Sequence, residues 1–148
     1  MKLTLAAIGL RARSTAYDDL TGLYRERTAA YSEIEITTHR TSQAFFENLD
    51  KQRARTAPIL VLLDSSGKQL SSENLAQWIG RQRDDGQQRI VFAIGPADGW
   101  SPEEKKRASL LLSLGPMTLP HELARLVLSE QIYRAFTILN GHPYHTGH

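Results

Sequence analysis

The sequence predicts an α/β fold in which a mainly parallel sheet is flanked by helices. Five short apolar or alternating segments, typical of strands, are separated by longer segments whose apolar residues recur every three or four positions. Strands that alternate with helices along the chain are the pattern of a parallel sheet. The length of 148 residues and the hydrophobic content of 41% suit one core, so we expect residues 1–148 to form a single domain.

The first two strand and helix units precede residue 54. KLTLAAIG and SEIEITTH alternate as strands do, and each is followed by a segment with helical spacing, the second being TSQAFFENLDKQR. Arg11 and Arg13 follow the first strand without the small-residue cleavage site of a signal peptide, so we interpret the opening segment as a strand. The residues expected to face the core are Tyr17, Leu20, Tyr24, Tyr31, Ile34, Ile36, Phe45, Phe46 and Leu49.

Two apolar segments in the middle of the chain predict the central strands. PILVLLD and RIVFAIG are continuous apolar runs, long enough for strands buried on both faces and too short for helices. We expect SSGK to form a turn after the first of them. SSENLAQWIG then predicts a helix capped by Ser71 or Ser72, with Leu75, Trp78 and Ile79 buried.

The C-terminal part of the chain begins with residues typical of a helix N-terminus. In SPEEKKR, Ser101 and Glu104 can form a capping box around Pro102. LLLSLGPMTL predicts a short strand entering an irregular loop, and Pro120 opens a long helix that Gly141 ends. Because this helix is apolar almost all round, we expect one surface to pack internally and another to meet a partner subunit.

Three loops are candidates for a ligand site. LDSSGK, IGPADGW and SLGPMTLPH follow strands, and ligands of parallel sheets bind beyond the carboxyl ends of the strands. Glycine in these loops would let backbone amides and carbonyls approach a ligand closely. The alternative is that glycine and proline merely end the strands. Neither a G-x-G-x-x-G nor a G-x-x-x-x-G-K-[ST] motif is present.

Composition excludes some classes of protein and leaves others open. The chain has no cysteine and no segment near the roughly 18 apolar residues of a membrane span, so we expect a soluble, cytoplasmic protein. A net charge of +2 permits a polyanionic partner without requiring one. His142, His145 and His148 resemble a metal-binding tract, but Pro143 and Gly147 argue against a shared helical face, and we expect no metal site.

Four segments occur in this order along the chain: LLDSSGKQLSSENLA, VFAIGPADGW, LSLGPMTLPHELARLVLSEQIYRAFTI and HPYH. Together they resemble the ribosomal RNA large subunit methyltransferase H family. The resemblance spans essentially the whole chain. It implies a SPOUT-type fold with a C-terminal trefoil knot, a homodimer, and transfer of a methyl group from S-adenosylmethionine to N3 of a pseudouridine in the inter-subunit stem-loop of large-subunit rRNA.

The resemblance also implies which residues form the site. Those matching the family's cofactor loops are Leu63, Gly95, Leu114, Gly115, Pro116, Met117, Thr118 and Leu119. They fall in the three loops that sheet geometry nominates. The chain departs from the family at Pro96, which replaces a second glycine, at Gly115, which replaces a serine, at Trp100, which replaces a leucine, and at Thr146, where many members have a basic residue.

The closing tyrosine and histidine match the family's terminal residues and suit the chemistry. A histidine is largely neutral at cellular pH and can accept the weakly acidic N3 proton, so we expect His145 to act as the base and Tyr144 to position the target nucleobase. Arg125 and Arg134 are candidates for RNA contact, although charges in an apolar helix are also often paired structurally. The alternative is a SPOUT relative that binds RNA or cofactor with lost or altered activity.

Overall fold

The computed structural model describes residues 1–9, 14–52 and 57–147. Arg11, Arg13 and His148, which enter the sequence arguments, lie outside these ranges. Within them, the chain alternates strands and helices as predicted. The elements are β1 (Lys2–Ile8), α1 (Thr15–Ala29), β2 (Glu33–His39), α2 (Ser42–Gln52), β3 (Ile59–Gln69), α3 (Ser72–Asp84), β4 (Arg89–Ile94), α4 (Pro102–Lys106), β5 (Leu110–Ser113) and α5 (His121–Leu139).

The five strands form one sheet in the order β2-β1-β4-β3-β5. Every pairing is parallel, which confirms the predicted α/β class. All strands therefore run towards the same edge of the sheet, where the part of β3 from Leu63 onward lies beside the loops that follow β4 and β5. The trefoil knot implied by the resemblance stays a prediction.

Helices cover both faces of the sheet. On one face, α3 and α5 pack on the strands through side chains such as Ile79, Leu128 and Phe136. On the other face, α2 packs through Phe45 and Leu49, as its spacing predicts. The central strands β1 and β4 are buried on both faces because each contributes alternate residues to the two clusters.

The segment SSGK is not the predicted turn. It continues β3, which pairs with β5 on both sides of an irregularity between Leu63 and Lys68. Gly67 makes this possible, since a Cβ at that position would lie 2.6 Å from the backbone carbonyl oxygen of Leu111. Ser65, Ser66 and Gly67 lie within this irregularity and have no ladder partners in the described sheet. The predicted turn is therefore a bulge within β3, after which pairing resumes at Lys68.

The apolar stripe predicted for α1 is only partly correct. Leu20 is 44% exposed, and the buried side chains of the helix are Thr21 and Thr28. Tyr24 does pack, with its ring centroid 6.0 Å from that of Tyr133 in α5. Thr21, Tyr24 and Thr28 thus share the face that rests on α5, and Leu20 lies at its exposed edge.

The predicted helix starts of α3 and α4 are both present. Ser71 caps α3 by accepting a hydrogen bond from the amide of Asn74 at 3.0 Å. The Ser101 and Glu104 capping box holds α4, although that helix has only five residues. The start of α5 is preceded by Pro120, which makes no side-chain cap.

Helix α5 packs against both α1 and α3. Part of its second apolar surface is therefore covered within the same chain. Leu123, Leu126 and Val127 remain half-buried. No helix among the described residues is long and apolar enough to cross a membrane.

Candidate functional site

A cavity of about 440 Å³ lies beyond Leu63 of β3, Ile94 of β4 and Leu112 of β5. Its remaining walls are the loops that follow these strand residues and the first turn of α5. The volume falls within the range of roughly 300–1,000 Å³ that is usual for small-molecule sites. Both its size and its position at the carboxyl edge of a parallel sheet indicate a ligand site.

Seven of the eight residues predicted to bind the cofactor line this one cavity. They are Leu63, Gly95, Leu114, Gly115, Met117, Thr118 and Leu119. Pro116 belongs to the same loop but is exposed and does not line the cavity. The three loops therefore converge, as strand order requires once β3, β4 and β5 are parallel neighbours.

The loop after β5 is fixed by hydrogen bonds at its first residues and is exposed to solvent in its middle. The buried hydroxyl of Ser113 accepts from the amide of Gly115 and also lies 3.1 Å from that residue's carbonyl oxygen. Met117 is 80% exposed at the cavity. The Met117 side chain is therefore available to cover an apolar ligand, because contact with the ligand would remove its apolar surface from water.

Trp100 forms the wall opposite this loop. Its indole Nε1 donates to the carbonyl oxygen of Leu63 at 2.9 Å, and its ring packs against Phe45 and Phe46. A Cβ at Gly95 would lie 2.7 Å from the indole, so the ring can occupy this position only because residue 95 has no side chain. The sequence indicated only that a tryptophan replaces the family's leucine here, and not the hydrogen bond.

His121 links two walls of the cavity. Its Nε2 lies 2.9 Å from the carbonyl oxygen of Gly95. Because a carbonyl only accepts, Nε2 carries the proton and donates, which leaves Nδ1 as the acceptor. Nδ1 is buried and has no hydrogen-bond partner among the described residues. Its position in the first turn of α5 was the only sequence signal for this anchoring role.

Asp64 brings a carboxylate to the cavity, which sequence reasoning missed. Its Oδ2 accepts from the amide of Ser66 at 3.1 Å and from the Ser66 hydroxyl, and Lys105 Nζ lies 3.4 Å from Oδ1. Burial alone would raise the pKa of Asp64, but the Ser66 hydrogen bonds and the Lys105 charge together lower it. The group is therefore ionised at neutral pH.

The residues predicted to act on the substrate lie elsewhere. Tyr144 packs edge-on against Tyr133, with ring centroids 4.8 Å apart, and its hydroxyl donates to Glu130 at 3.2 Å. The guanidinium of Arg134 lies over the Tyr144 ring at 4.9 Å. Neither Tyr144 nor His145 lines the cavity of its own chain.

Both ring nitrogens of His145 are engaged. Arg134 Nη1 lies 3.0 Å from Nδ1, and Glu73 Oε1 lies 2.6 Å from Nε2. The guanidinium can only donate, so Nδ1 accepts from Arg134 and Nε2 donates to Glu73. The hydrogen bond from His145 lowers the pKa of Glu73. His145 can therefore accept a further proton only at Nδ1, and only after the contact with Arg134 breaks.

The two predicted RNA-contacting arginines are both paired. Arg125 is buried and its Nη2 lies 2.5 Å from Asp18 Oδ1. Arg134 lies 2.8 Å from Glu130 Oε1, and its side chain is 14% exposed. The burial and pairing of Arg125 favour a structural ion pair over RNA contact. Arg134 contacts His145 of the tail.

His142 and His145, the tail histidines that the structure describes, do not converge. His142 Nδ1 accepts from the amide of Tyr144 at 3.1 Å, whereas His145 contacts Glu73 and Arg134. Within residues 1–9, 14–52 and 57–147, no group of three or more histidine, cysteine or acidic side chains is arranged to hold a metal ion.

Comparison with known proteins agrees with this geometry. A family model described as "Predicted SPOUT methyltransferase" matches residues 1–145. The chain is 50% identical over 148 residues to a Koribacter versatilis protein named ribosomal RNA large subunit methyltransferase H, covering 100% of both chains. A Brucella anthropi protein of the same name is 48% identical over 111 residues, covering 75% of this chain and 66% of the relative.

Two solved structures share the fold at low sequence identity. The SpoU methyltransferase AviRb from Streptomyces viridochromogenes, in complex with AdoMet, superposes with a TM-score of 0.50 at 10% identity, covering 95% of this chain and 61% of that one. An AdoMet-bound rRNA methyltransferase from Sinorhizobium meliloti gives a TM-score of 0.50 at 14% identity, with coverages of 93% and 57%.

Proposed function

Because the chain belongs to the SPOUT methyltransferases, and within them to the ribosomal RNA large subunit methyltransferase H family, we propose that it methylates N3 of a pseudouridine in the inter-subunit stem-loop of large-subunit rRNA. We take residues 1–148 as one methyltransferase domain that acts in the cytoplasm on the assembled ribosome. The observation that carries the proposal is the cavity in which loops from β3, β4 and β5 meet.

The residues of the cavity fit S-adenosylmethionine. Its wall is mostly apolar, as the adenosine and methionine carbon chain require, and it contains one carboxylate, Asp64, as a cation requires. Backbone of Leu63, Gly95 and the loop 114–119 would hold the cofactor. When bound, S-adenosylmethionine supplies an electrophilic methyl group.

Two departures from the family pattern affect this cavity. Pro96 has no amide hydrogen to donate, so ligand recognition after β4 depends on Gly95 and the residues beyond. Trp100 already donates to Leu63, which orients that carbonyl at the cavity. Calorimetric titration with S-adenosylmethionine tests the fit directly, and an absence of binding would exclude the methyltransferase proposal.

His145 is our candidate for the base that accepts the N3 proton of the pseudouridine, and Tyr144 for the side chain that positions the base. For this role His145 must lose its contact with Arg134, since Nδ1, the ring nitrogen without a proton, accepts from that guanidinium in the isolated chain. RNA binding provides a reason for this loss, because a phosphate can replace the His145 ring as a partner of Arg134.

We propose that the active site is completed in a homodimer. The tail, residues 141–147, does not line the cavity of its own chain. Apolar side chains are available for a second copy, with Leu20 and Leu23 at 44% and 37% exposure on α1 and Leu123 and Val127 half-buried on α5. The tail of one subunit would then serve the cavity of the other.

Mixed dimers test this arrangement. A heterodimer of His145→Ala with Gly95→Val, whose added side chain would collide with Trp100, contains one intact cavity and one intact tail on different subunits. If the mixture is active while both homodimers are inactive, the tail of one subunit contributes to the active site at the cavity of the other. A mixture as inactive as its parents would place tail and cavity on the same subunit.

The reaction itself is tested by transfer of tritiated methyl groups to ribosomes from a strain that lacks the modification, followed by mass mapping of the labelled nucleotide. Label on the expected pseudouridine supports the proposal, and label elsewhere assigns a different RNA target. Cofactor binding without transfer to any ribosomal RNA would favour a binding relative with lost activity, which the departures at Pro96, Gly115 and Thr146 motivate.

The basic run of α4 contributes little to RNA binding in this scheme. Lys105 pairs with Asp64, and Arg107 contacts Asp50 while lying 4.6 Å from the centroid of Phe46. Of the three basic residues, Lys106 and Arg107 are exposed, and Arg107 is the one held by a carboxylate and an aromatic ring.

A further inference from the structure

The wall of the cavity described above includes an acidic residue, Asp64. Among the described residues that line the cavity, Asp64 is the only acidic one, and the others are apolar, small, hydroxyl-bearing or, at His121, an imidazole. The Asp64 side chain is only 11% exposed. A charge in such a poorly hydrated place acts on a ligand more strongly than it would in open solvent.

The orientation of this carboxylate is fixed by its neighbours. One oxygen accepts from both the amide and the hydroxyl of Ser66, so the group cannot rotate freely. The other oxygen lies 3.4 Å from Lys105 Nζ, a loose contact with a side chain that is one-third exposed. Lys105 therefore offsets only part of the charge that Asp64 presents to the cavity.

The cofactor and its product differ in charge. S-adenosylmethionine carries a sulfonium, an ammonium and a carboxylate, for a net charge of +1. Transfer of the methyl group leaves the sulfur as a neutral thioether, so S-adenosylhomocysteine has no net charge. The two molecules are otherwise nearly the same in shape, and an ionised carboxylate in the cavity distinguishes them by charge alone.

We propose that Asp64 sets the preference of this cavity for the cationic cofactor over the neutral product, and that Lys105 moderates this preference. The inference rests on the proposed function, since it takes the cavity to be the S-adenosylmethionine site. It assigns a purpose to a charged pair that the transfer chemistry does not use. A preference for the cation favours binding of S-adenosylmethionine over its product. Lys105 limits how strong that preference becomes.

The two partners make opposite predictions. Asp64→Asn keeps the shape and an acceptor for Ser66 but removes the negative charge, so binding of S-adenosylmethionine should weaken while binding of S-adenosylhomocysteine changes little. Lys105→Gln removes the opposing charge, so the preference for the cation should increase. Glu103→Gln, an exposed site on the same helix α4, is the control for a change in overall charge.

Calorimetric titration of the full-length chain with each molecule, at one ionic strength, measures the ratio of the two dissociation constants. We expect Asp64→Asn to reduce the preference for S-adenosylmethionine roughly 3- to 10-fold, and Lys105→Gln to raise it roughly 2-fold, as charges several ångströms apart would do at an intermediate dielectric. Glu103→Gln should leave the ratio unchanged. Thermal melts of each variant verify the fold.

Equal weakening of both ligands by Asp64→Asn would overturn the inference, because it would indicate a structural role for the carboxylate. A reduced preference in Lys105→Gln would overturn it too. If Asp64→Asn does not fold, the Lys105→Gln result decides alone. Failure of the unaltered protein to bind either molecule would instead refute the proposed function, and the two failures are thereby distinguishable.

Discussion

The Nε2 atom of His121 lies 2.9 Å from the carbonyl oxygen of Gly95 and joins the first turn of α5 to the end of β4. The two residues are 26 positions apart in the chain. The contact therefore links two walls of the cavity. The loop 114–119 lies directly before the turn of α5 that this hydrogen bond holds.

Replacing His121 by alanine should therefore weaken cofactor binding. Loss of the hydrogen bond releases the end of β4, and a bond of about 1–2 kcal/mol corresponds to roughly 5- to 30-fold in affinity. His121→Gln, whose amide nitrogen can still donate, should retain more of the affinity. Calorimetric titration with S-adenosylmethionine is the measurement. Wild-type affinity in the alanine variant would show that the contact does not organise the cavity.

Replacing Trp100 by phenylalanine should lower the free energy of unfolding by about 1–2 kcal/mol, because the carbonyl oxygen of Leu63 loses its side-chain donor near the buried ring. Trp100→Ala removes the ring as well and should cost about 3–5 kcal/mol. Urea denaturation followed by circular dichroism gives both values.

Trp78→Phe is the matched control for that experiment. The Trp78 ring packs edge-on against Phe92, with centroids 6.4 Å apart, and its indole makes no hydrogen bond within the described residues. We expect a loss below about 1 kcal/mol, as for a conservative change of a half-buried side chain. If the two phenylalanine variants lose equal stability, the Trp100 hydrogen bond contributes nothing measurable.

The buried ion pair between Asp18 and Arg125 should respond asymmetrically to substitution. The Arg125 side chain is 5% exposed, whereas that of Asp18 is 37% exposed. Asp18→Asn leaves a cation buried without its partner and should cost about 1–3 kcal/mol, discounted for the exposure of Asp18. Arg125→Met leaves a carboxylate that water can reach and should cost less. Equal losses in chemical denaturation would contradict this account.

Tyr144 should make the stability of the protein depend on pH in the alkaline range. Burial, the contact with Tyr24 and the charge of Glu130 raise the pKa of Tyr144 to about 12 from an ordinary value of 10.0. The folded state thus holds the phenolic proton more tightly than the unfolded state. This contribution is fully present below pH 10.0 and is lost as pH rises through about 12.

Tyr144→Phe removes this dependence. Between about pH 10 and 12, the free energy of unfolding of the unaltered protein should fall more steeply with pH than that of the variant. Urea denaturation at several pH values measures both slopes. Parallel slopes would mean that Tyr144 titrates alike in the folded and unfolded chain.

Particular residues show how far the sequence could predict the fold. The apolar run from Ile59 to Leu63 and the capping box of Ser101 and Glu104 depend on short-range patterns, and the structure has the predicted strand and the predicted helix start there. SSGK was predicted as a turn and is a strand, because its extended form depends on β5, which comes more than 40 residues later. Leu20 was expected in the core, but it lies at the exposed edge of the face that α1 packs on α5.

The candidate site divides in the same way. The loops that line the cavity could be named because parallel strands end at one edge and because the motifs resemble a known family. Asp64 and His121 gave weak signals, since a single acidic residue after a strand and a single histidine after a proline are usual in many loops. Their roles depend on Lys105 and on Gly95, which are distant in the chain.

The sequence by itself determined the order and type of the elements, the three loops that form the cavity and the family to which the chain belongs, because these depend on local spacing and on contiguous motifs. Only the tertiary structure decided which side chains meet: Trp100 with Leu63, His121 with Gly95, and His145 with Glu73 and Arg134. Hydrogen bonds between distant residues require atoms within about 3 Å of one another, and local periodicity holds no information on such distances.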